Sequence, residues 1–109
     1  MDNIKNDAYY LEIIKKHFDR ISSVMKNVTY EMYIENKDLQ DITMFNIIQI
    51  SENVKQLTNE YKTNNPNIPW KDIYGLRNRL VHDYGNVVLD IVFETLLKDI
   101  PTIRESLFK

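Results

Sequence analysis

The chain contains no cysteine, only two glycines and only three prolines among its 109 residues. Without cysteine it can form neither a disulfide framework nor a thiolate metal site, and nothing argues for secretion. The scarcity of glycine and proline favours long helices over a turn-rich β fold. No apolar run approaches the ~18 residues of a membrane span, and the amino-terminal stretch MDNIKNDAYY has no apolar signal-peptide region. We therefore expect a soluble cytoplasmic protein with no membrane segment.

The composition is that of one globular domain. Hydrophobic residues make up 43% and charged residues 28% of the chain, values that argue against disorder, and the length allows one modest core. We expect a single domain over residues 1–109. The formal net charge of -2 argues against a general nucleic-acid coat, because non-specific affinity depends on Lys and Arg neutralising phosphates. A nuclease needs only a local cationic cleft, so RNA stays possible as a substrate.

Apolar residues recur at steps of three and four, which predicts amphipathic helices. A first helix carries this pattern over residues 4–25. A short helix follows, with Thr29 as its N-cap. A long helix is predicted over residues 39–61, in which Phe45 and Ile48 widen the buried face.

The second half of the chain predicts two further helices. The stretch TNNPNIP, residues 63–69, is a loop by its Asn and Pro content. The next helix begins at Pro69 and ends at a Gly85 C-cap. In the last helix, over residues 89–107, Pro101 should cause a kink or a restart. The sequence thus predicts an all-α, up-down bundle of four main helices plus one short helix.

The segment GLRNRLVHDYG, residues 75–85, holds both glycines and an unusual set of polar residues. On a continuous helix, one broad inward face would consist of Ile73, Leu76, Arg77, Leu80 and Tyr84. An arginine cannot lose its charge there and needs a partner, for which Glu52 is the candidate. From the pattern alone, a structural ion pair between two helices ranks slightly ahead of a catalytic arginine. Gly75 is consistent with close approach of another helix.

His82 is one of only two histidines in the chain. On the same helix Asn78 would lie one turn away from it, and Arg79 three residues away would lower the pKa of its imidazole, as a general base requires. Arg79 and Asp83 could form a surface salt bridge of little energetic value. The alternative for His82 is a surface residue that interacts with the helix C-terminus.

Arg77 and His82 are five residues apart, hence about 140° apart on an ideal helix. One chain cannot easily bring both to one phosphate unless Arg77 reaches round or the helix loosens near Tyr84. The third possibility is a homodimer, in which two such helices face each other across a two-fold axis and form a cationic cleft.

Arg77, His82 and Tyr84 spell the motif R-x4-H-x-Y, with Asn78 directly after the arginine. Together with the flanking stretches IPWKDIYGLRN and LDIVFETLLKDIP, this motif closely resembles the HepT-like toxins of the HEPN superfamily. The resemblance runs over almost the whole chain, from the first helix to the proline-interrupted last one.

The resemblance implies a homodimeric, metal-independent endoribonuclease without a cofactor, whose cleft lies at the two-fold axis. Arg77 and His82 would be catalytic, and Asn78 and Arg79 would position the substrate. RNA but not DNA would be cut, since the 2′-hydroxyl is the nucleophile. The family's partner is an MntA-like nucleotidyltransferase antitoxin, which transfers AMP from ATP to the motif tyrosine, here Tyr84.

The chain departs from many relatives in its long helix, where Ser51-Glu52-Asn53 replaces a Gly-Glu-Ala segment. Helix approach at this point can therefore differ. Asp83 adds a negative charge beside the motif. For Tyr84 the alternative is a core-facing aromatic whose hydroxyl finds a partner. Two other functions remain open: a non-catalytic helical module that binds a nucleotidyltransferase or nucleotides, and a structural four-helix interaction protein.

Overall fold

The computed structural model describes residues 5–82 and 86–108, and it is almost entirely helical. Two two-residue strands pair antiparallel between the sixth and seventh α-helices. The predicted all-α class is confirmed, but the sequence did not predict this small hairpin. In chain order the elements are α1 (Asp7–Val24), α2 (Tyr30–Ile34), α3 (Lys37–Val54), α4 (Asn59–Asn64), α5 (Trp70–Tyr74), α6 (Leu76–Leu80), β1 (Val81–His82), β2 (Asn86–Val87), α7 (Leu89–Glu94), a π-helical turn (Thr95–Asp99) and α8 (Ile100–Leu107).

Helices α1 and α3 pack antiparallel and form the centre of the molecule. At one end the Asp7 carboxylate accepts hydrogen bonds from the backbone N–H and the hydroxyl of Thr58, at 2.8 and 2.7 Å. Near the middle, His17 Nδ1 lies 2.7 Å from Asn46 Oδ1. The buried side chains of the two helices follow the predicted spacing and include Ile14, Phe18, Ile21, Ile47, Ile50 and Val54.

The last helical segment, α7 to α8, packs against this pair. Arg104 on α8 forms an ion pair with Asp19 on α1, with 2.5 Å between Nη2 and Oδ1. The Tyr30 hydroxyl on α2 donates a hydrogen bond to Asp90 on α7. The buried residues of the segment are Val92, Thr95, Leu96, Ile100 and Ile103.

Tyr33 places a hydroxyl inside the core without leaving it unpaired. The residue is fully buried, and its hydroxyl lies 2.7 Å from the Thr43 hydroxyl. Because Thr43 donates its own proton to the Leu39 carbonyl oxygen at 2.9 Å, Tyr33 is the donor of the pair. Burial raises the pKa of the Tyr33 phenol, since the charged phenolate would be poorly solvated.

Thr29 is the N-cap of α2, as predicted: its hydroxyl accepts a hydrogen bond from the Met32 N–H. The prediction of one long helix over residues 39–61 is wrong, because α3 ends at Val54 and α4 begins after a new N-cap, Thr58. The contact of Asp7 with Thr58 stabilises this second start. The predicted burial of Phe45 is also wrong, since 57% of the residue is exposed.

The predicted interruption at Pro101 is confirmed and takes the form of the π-helical turn. In this turn the Ile100 N–H donates to the Thr95 carbonyl oxygen, five residues back instead of four. Pro101 has no N–H to donate and occupies the first turn of α8, where none is needed. The Thr102 hydroxyl donates to the Lys98 carbonyl oxygen at 2.9 Å.

The prediction of one helix from Pro69 to Gly85 is wrong. The segment divides at Gly75, and α6 ends at Leu80, where the strand pair Val81–Val87 begins. β-branched residues favour extended backbone, which accounts for the change. No close helix approach explains Gly75, because a Cβ there would meet only Lys71 O and Asp72 O, at ordinary contact distances of 3.6 and 3.7 Å. Gly85 lies outside the described residues.

Candidate functional site

Arg77 and Asn78 lie on the exposed side of α6. The helix is held by its two leucines, Leu76 and Leu80, which are both fully buried. The prediction that Arg77 faces inward is therefore wrong. Its reason is that the predicted inward face was too broad: Ile73, Leu76 and Leu80 are buried as predicted, but Arg77 lies about 100° from its neighbour Leu76, beyond the edge of that face.

Glu52 forms its ion pair within α3. Its carboxylate lies 3.1 Å from the Lys55 ammonium, and both side chains are about half exposed, at 50% and 45%. Within residues 5–82 and 86–108, no ion pair connects Glu52 to Arg77. The predicted structural pair between two helices is therefore not formed in this chain. An exposed pair such as Glu52–Lys55 contributes little to stability.

His82 lies beyond the helix, in β1, where its backbone is paired with Asn86. The predicted one-turn relation between Asn78 and His82 is therefore wrong, and so is the 140° separation of Arg77 and His82 that suggested a two-fold axis. The His82 side chain, and with it the predicted pKa of its imidazole, lies outside the described part of the chain. The same holds for Asp83 and Tyr84 as whole residues, so the roles predicted for them stay predictions.

Arg79 is bound to a residue that the sequence did not indicate. Its guanidinium donates to the carboxylate of Asp99, the last residue of the π-helical turn. Both side chains are 38% exposed. One recess beside the pair is lined by Asp90 and Glu94, and a second by Asp72 and Lys98, so carboxylates outnumber the cations near Arg79. The predicted partner, Asp83, is not among the described residues.

The other histidine, His17, has a packing role. Asn46 is only 6% exposed, and its Nδ2 donates to the Ile42 carbonyl oxygen at 2.7 Å. The amide therefore presents its oxygen to His17, and the imidazole donates from Nδ1. The ring of His17 also contacts Phe45 edge-on, at 6.3 Å between centroids. An asparagine in the middle of an apolar helical stripe was the only sequence signal for this contact.

Other surfaces of the described chain offer less chemistry. An apolar groove of about 480 Å³ lies between α1 and α8, and none of its lining residues belongs to residues 75–85. Among the described residues, no three His, Asp or Glu side chains are grouped so that they could hold a metal ion. None of the helices described is long and apolar enough to cross a membrane.

Comparison with known proteins gives a family. The family model described as "Ribonuclease HepT-like" matches residues 14–108. A protein of Caldanaerobacter subterraneus named "Putative RNase" is 30% identical over 94% of this chain and 92% of its own length. A Methanocaldococcus jannaschii protein with the same description is 32% identical over 92% of this chain and 83% of its own. The "Probable ribonuclease HepT" of Thermococcus cleftensis is 27% identical, over 87% and 86%. No solved structure matches the chain.

The all-α fold agrees with this match. The chain belongs to the HepT-like ribonuclease family.

Proposed function

We propose that this chain is an endoribonuclease and the toxin component of a toxin–antitoxin pair. The observation that carries the proposal is the placement of the R-x4-H motif. Arg77 and Asn78 are exposed on α6, and the chain leaves the helix directly afterwards to place His82 in β1. An exposed arginine and asparagine can meet a phosphodiester, and among residues 5–82 and 86–108 no carboxylate forms an ion pair with Arg77. Membership in the HepT-like family and the names of the relatives support the same activity.

The chemistry is attack of a ribose 2′-hydroxyl on the adjacent phosphorus. The 2′-oxygen loses its proton and forms a bond to phosphorus, while the bond from phosphorus to the 5′-oxygen of the next nucleotide breaks. The 5′-oxygen takes up a proton, and the products are a 2′,3′-cyclic phosphate and a 5′-hydroxyl. His82 transfers a proton in this step. Arg77 stabilises the negative charge that develops on the phosphate oxygens, and Asn78 positions the substrate.

We further propose that the working unit is a homodimer with its cleft at the two-fold axis. The charge of Arg77 supports this, because two copies would make a cationic cleft in a chain whose net charge is -2.

For regulation, the Tyr84 oxygen would bond to the α-phosphorus of ATP in an MntA-like nucleotidyltransferase, with release of pyrophosphate and a proton. The added AMP would repel RNA. The measurement is the mass of the protein after incubation with the nucleotidyltransferase and ATP: wild type should gain the mass of AMP, and Tyr84→Phe should not.

The test compares the two histidines of the chain. Purified wild type, His82→Ala and His17→Ala are incubated with RNA and with DNA of the same sequence, and the fragments are resolved on a gel. We expect His82→Ala to lose cleavage by a factor of about 10² or more, because removing proton transfer costs that much. His17→Ala should cleave RNA at close to the wild-type rate, since His17 packs between α1 and α3. DNA should stay intact.

Arg77→Ala and Arg20→Ala form a second matched pair, because both arginines are exposed. Only Arg77→Ala should abolish cleavage.

Mixing inactive Arg77→Ala with inactive His82→Ala should restore activity if a cleft takes its arginine and its histidine from different chains. Equal cleavage by wild type and His82→Ala would exclude His82 as a catalytic residue. No cleavage by purified wild type would leave the non-catalytic binding module as the function.

A further inference from the structure

We propose that Asp99 is a positioning residue for the ribonuclease site: it fixes Arg79, and through Arg79 the segment that carries Arg77 and His82. This inference rests on the proposed function for its effect on catalysis. The structural part of the inference, that Asp99 fixes this segment, depends only on the ion pair between Arg79 and Asp99. Arg79 lies between the two proposed catalytic residues in sequence, and its guanidinium is bound to Asp99.

Helix α6 needs an external contact to hold its position. It contains five residues, and helices this short are not stable by themselves in water. Leu76 and Leu80 bury one side of it. Arg79 provides the contact on another side, to the π-helical turn. The strand that carries His82 begins one residue after Leu80, so a rotation of α6 would move His82 as well.

The π-helical turn is what makes Asp99 available. Asp99 follows the buried Val92 by seven residues, so on an uninterrupted α-helix the two would lie within about 20° of each other. Asp99 would then face the core, where a carboxylate is costly. The extra residue of the π turn rotates the following positions by roughly 100°. As a result Ile100 is 4% exposed and Asp99 is 38% exposed, beside Arg79.

The ion pair also redefines the role of Arg79. A guanidinium bound to Asp99, with Asp90 and Glu94 lining a recess beside it, is a poor ligand for a phosphate, because these carboxylates repel an anion. We therefore assign Arg79 to the support of the site and not to contact with RNA. Neither the helical pattern nor the family resemblance, which placed Arg79 beside the substrate, indicated this partner.

The test uses Asp99→Asn, which keeps the shape of the side chain and removes its charge. Asp99→Glu keeps the carboxylate and serves as the conservative variant. The matched control is Asp19→Asn, because Asp19 and Arg104 also form an ion pair between two helices, with side chains 54% and 40% exposed. For each protein, kcat and KM for RNA cleavage are measured, together with amide hydrogen exchange at β1 and β2.

We expect Asp99→Asn to lower kcat by about tenfold with KM changed by less than about twofold, because misplacement of catalytic groups affects the reaction step. Exchange at the β1 and β2 amides should become faster by about the same factor, since local opening becomes easier. Asp99→Glu should restore both values towards wild type. Asp19→Asn should leave kcat and hairpin exchange at wild-type values.

Unchanged hairpin exchange in Asp99→Asn would overturn the inference, and so would an equal loss of kcat in Asp19→Asn. If wild type and Arg77→Ala show the same RNA cleavage, or none, the proposed function fails. The hydrogen-exchange comparison then still decides whether Asp99 fixes this segment.

Discussion

The first half of the chain is built from two long regular helices, and the second half from short interrupted ones. Helices α1 and α3 contain 18 residues each, and their buried residues follow one helical repeat. Among the described residues from 59 to 108, the longest uninterrupted α-helix has eight residues, because the π-helical turn divides the segment from Leu89 to Leu107. The interruptions fall at Gly75, at Val81 and before Pro101. Both halves contribute buried residues to the core. Only the interrupted half carries the motif, with Arg77 in α6 and His82 in β1, on either side of the break at Val81.

The largest expected effect tests whether the two halves respond differently to a cavity. Ile47 on α3 and Leu80 on α6 are both fully buried. Replacing either by Ala should lower the free energy of unfolding by about 2–5 kcal/mol, through lost burial and the cavity left behind. Ile47→Ala should lie at the upper end, because two long packed helices cannot close the gap. Leu80→Ala should lie lower, since the five-residue α6 can relax.

Urea unfolding at neutral pH measures both values. A Leu80→Ala variant that loses more stability than Ile47→Ala would contradict the distinction between a rigid and an adaptable half.

A smaller effect concerns the pH dependence of the free energy of unfolding. Tyr33 packs between the two halves of the chain, and the centroid of its ring lies 5.5 Å from that of the Phe93 ring. Because burial raises the pKa of Tyr33 above its ordinary value of 10.0, the folded state holds this proton more tightly than the unfolded state. The resulting stability is fully present below pH 10 and is lost as the pH rises through the folded-state pKa. The free energy of unfolding should therefore fall above pH 10.

Tyr33→Phe should weaken this alkaline fall and reduce stability by about 1 kcal/mol at neutral pH, because the hydrogen bond to Thr43 is lost while Thr43 keeps its own acceptor. Urea unfolding between pH 7 and 11 measures both changes, with Tyr9→Phe as the exposed control. An alkaline fall as steep in Tyr33→Phe as in wild type would exclude Tyr33 as its source.

The smallest expected effect concerns the interruption at Gly75. Its φ of -85° is accessible to any residue, and an added Cβ meets only ordinary contacts. Gly75→Ala should therefore raise the free energy of unfolding by up to about 1 kcal/mol, because alanine reduces the freedom of the unfolded chain. Thermal unfolding measures the change. A loss of stability would mean that the α5–α6 break needs glycine after all.

Local signals predicted much of the fold, and contacts between distant residues account for what they missed. Thr29 was predicted as an N-cap because capping depends on the residue and its near neighbours. The end of α3 was missed, since Thr58 starts a new helix with help from Asp7, 51 residues away. The interruption before Pro101 was predicted from its missing N–H, but the π turn that accommodates it depends on which side chains fit the core.

For the site, the motif could be recognised but not its geometry. The prediction for Arg77 failed because it assumed too broad a buried face: Leu76 and Leu80 are buried, and Arg77 lies beyond the edge of their face. The strand at His82 had a signal in the β-branched residues Val81, Val87 and Val88. Nothing local indicated Asp99 as the partner of Arg79, because the register of the π turn follows from packing over the whole helix.

The π-helical turn also determines where the segment from α7 to α8 can lose one residue without losing its packing. A π turn is an α-helix with one residue inserted, so removing one residue from it restores α-helical phase for every position that follows. Lys98, whose side chain is 72% exposed, is the residue of the turn whose loss would cost the core least. A single deletion elsewhere in a helix rotates the remaining side chains by about 100°. Here it would keep Ile100 and Ile103 on the core, provided that Pro101, then inside a continuous helix, were replaced as well.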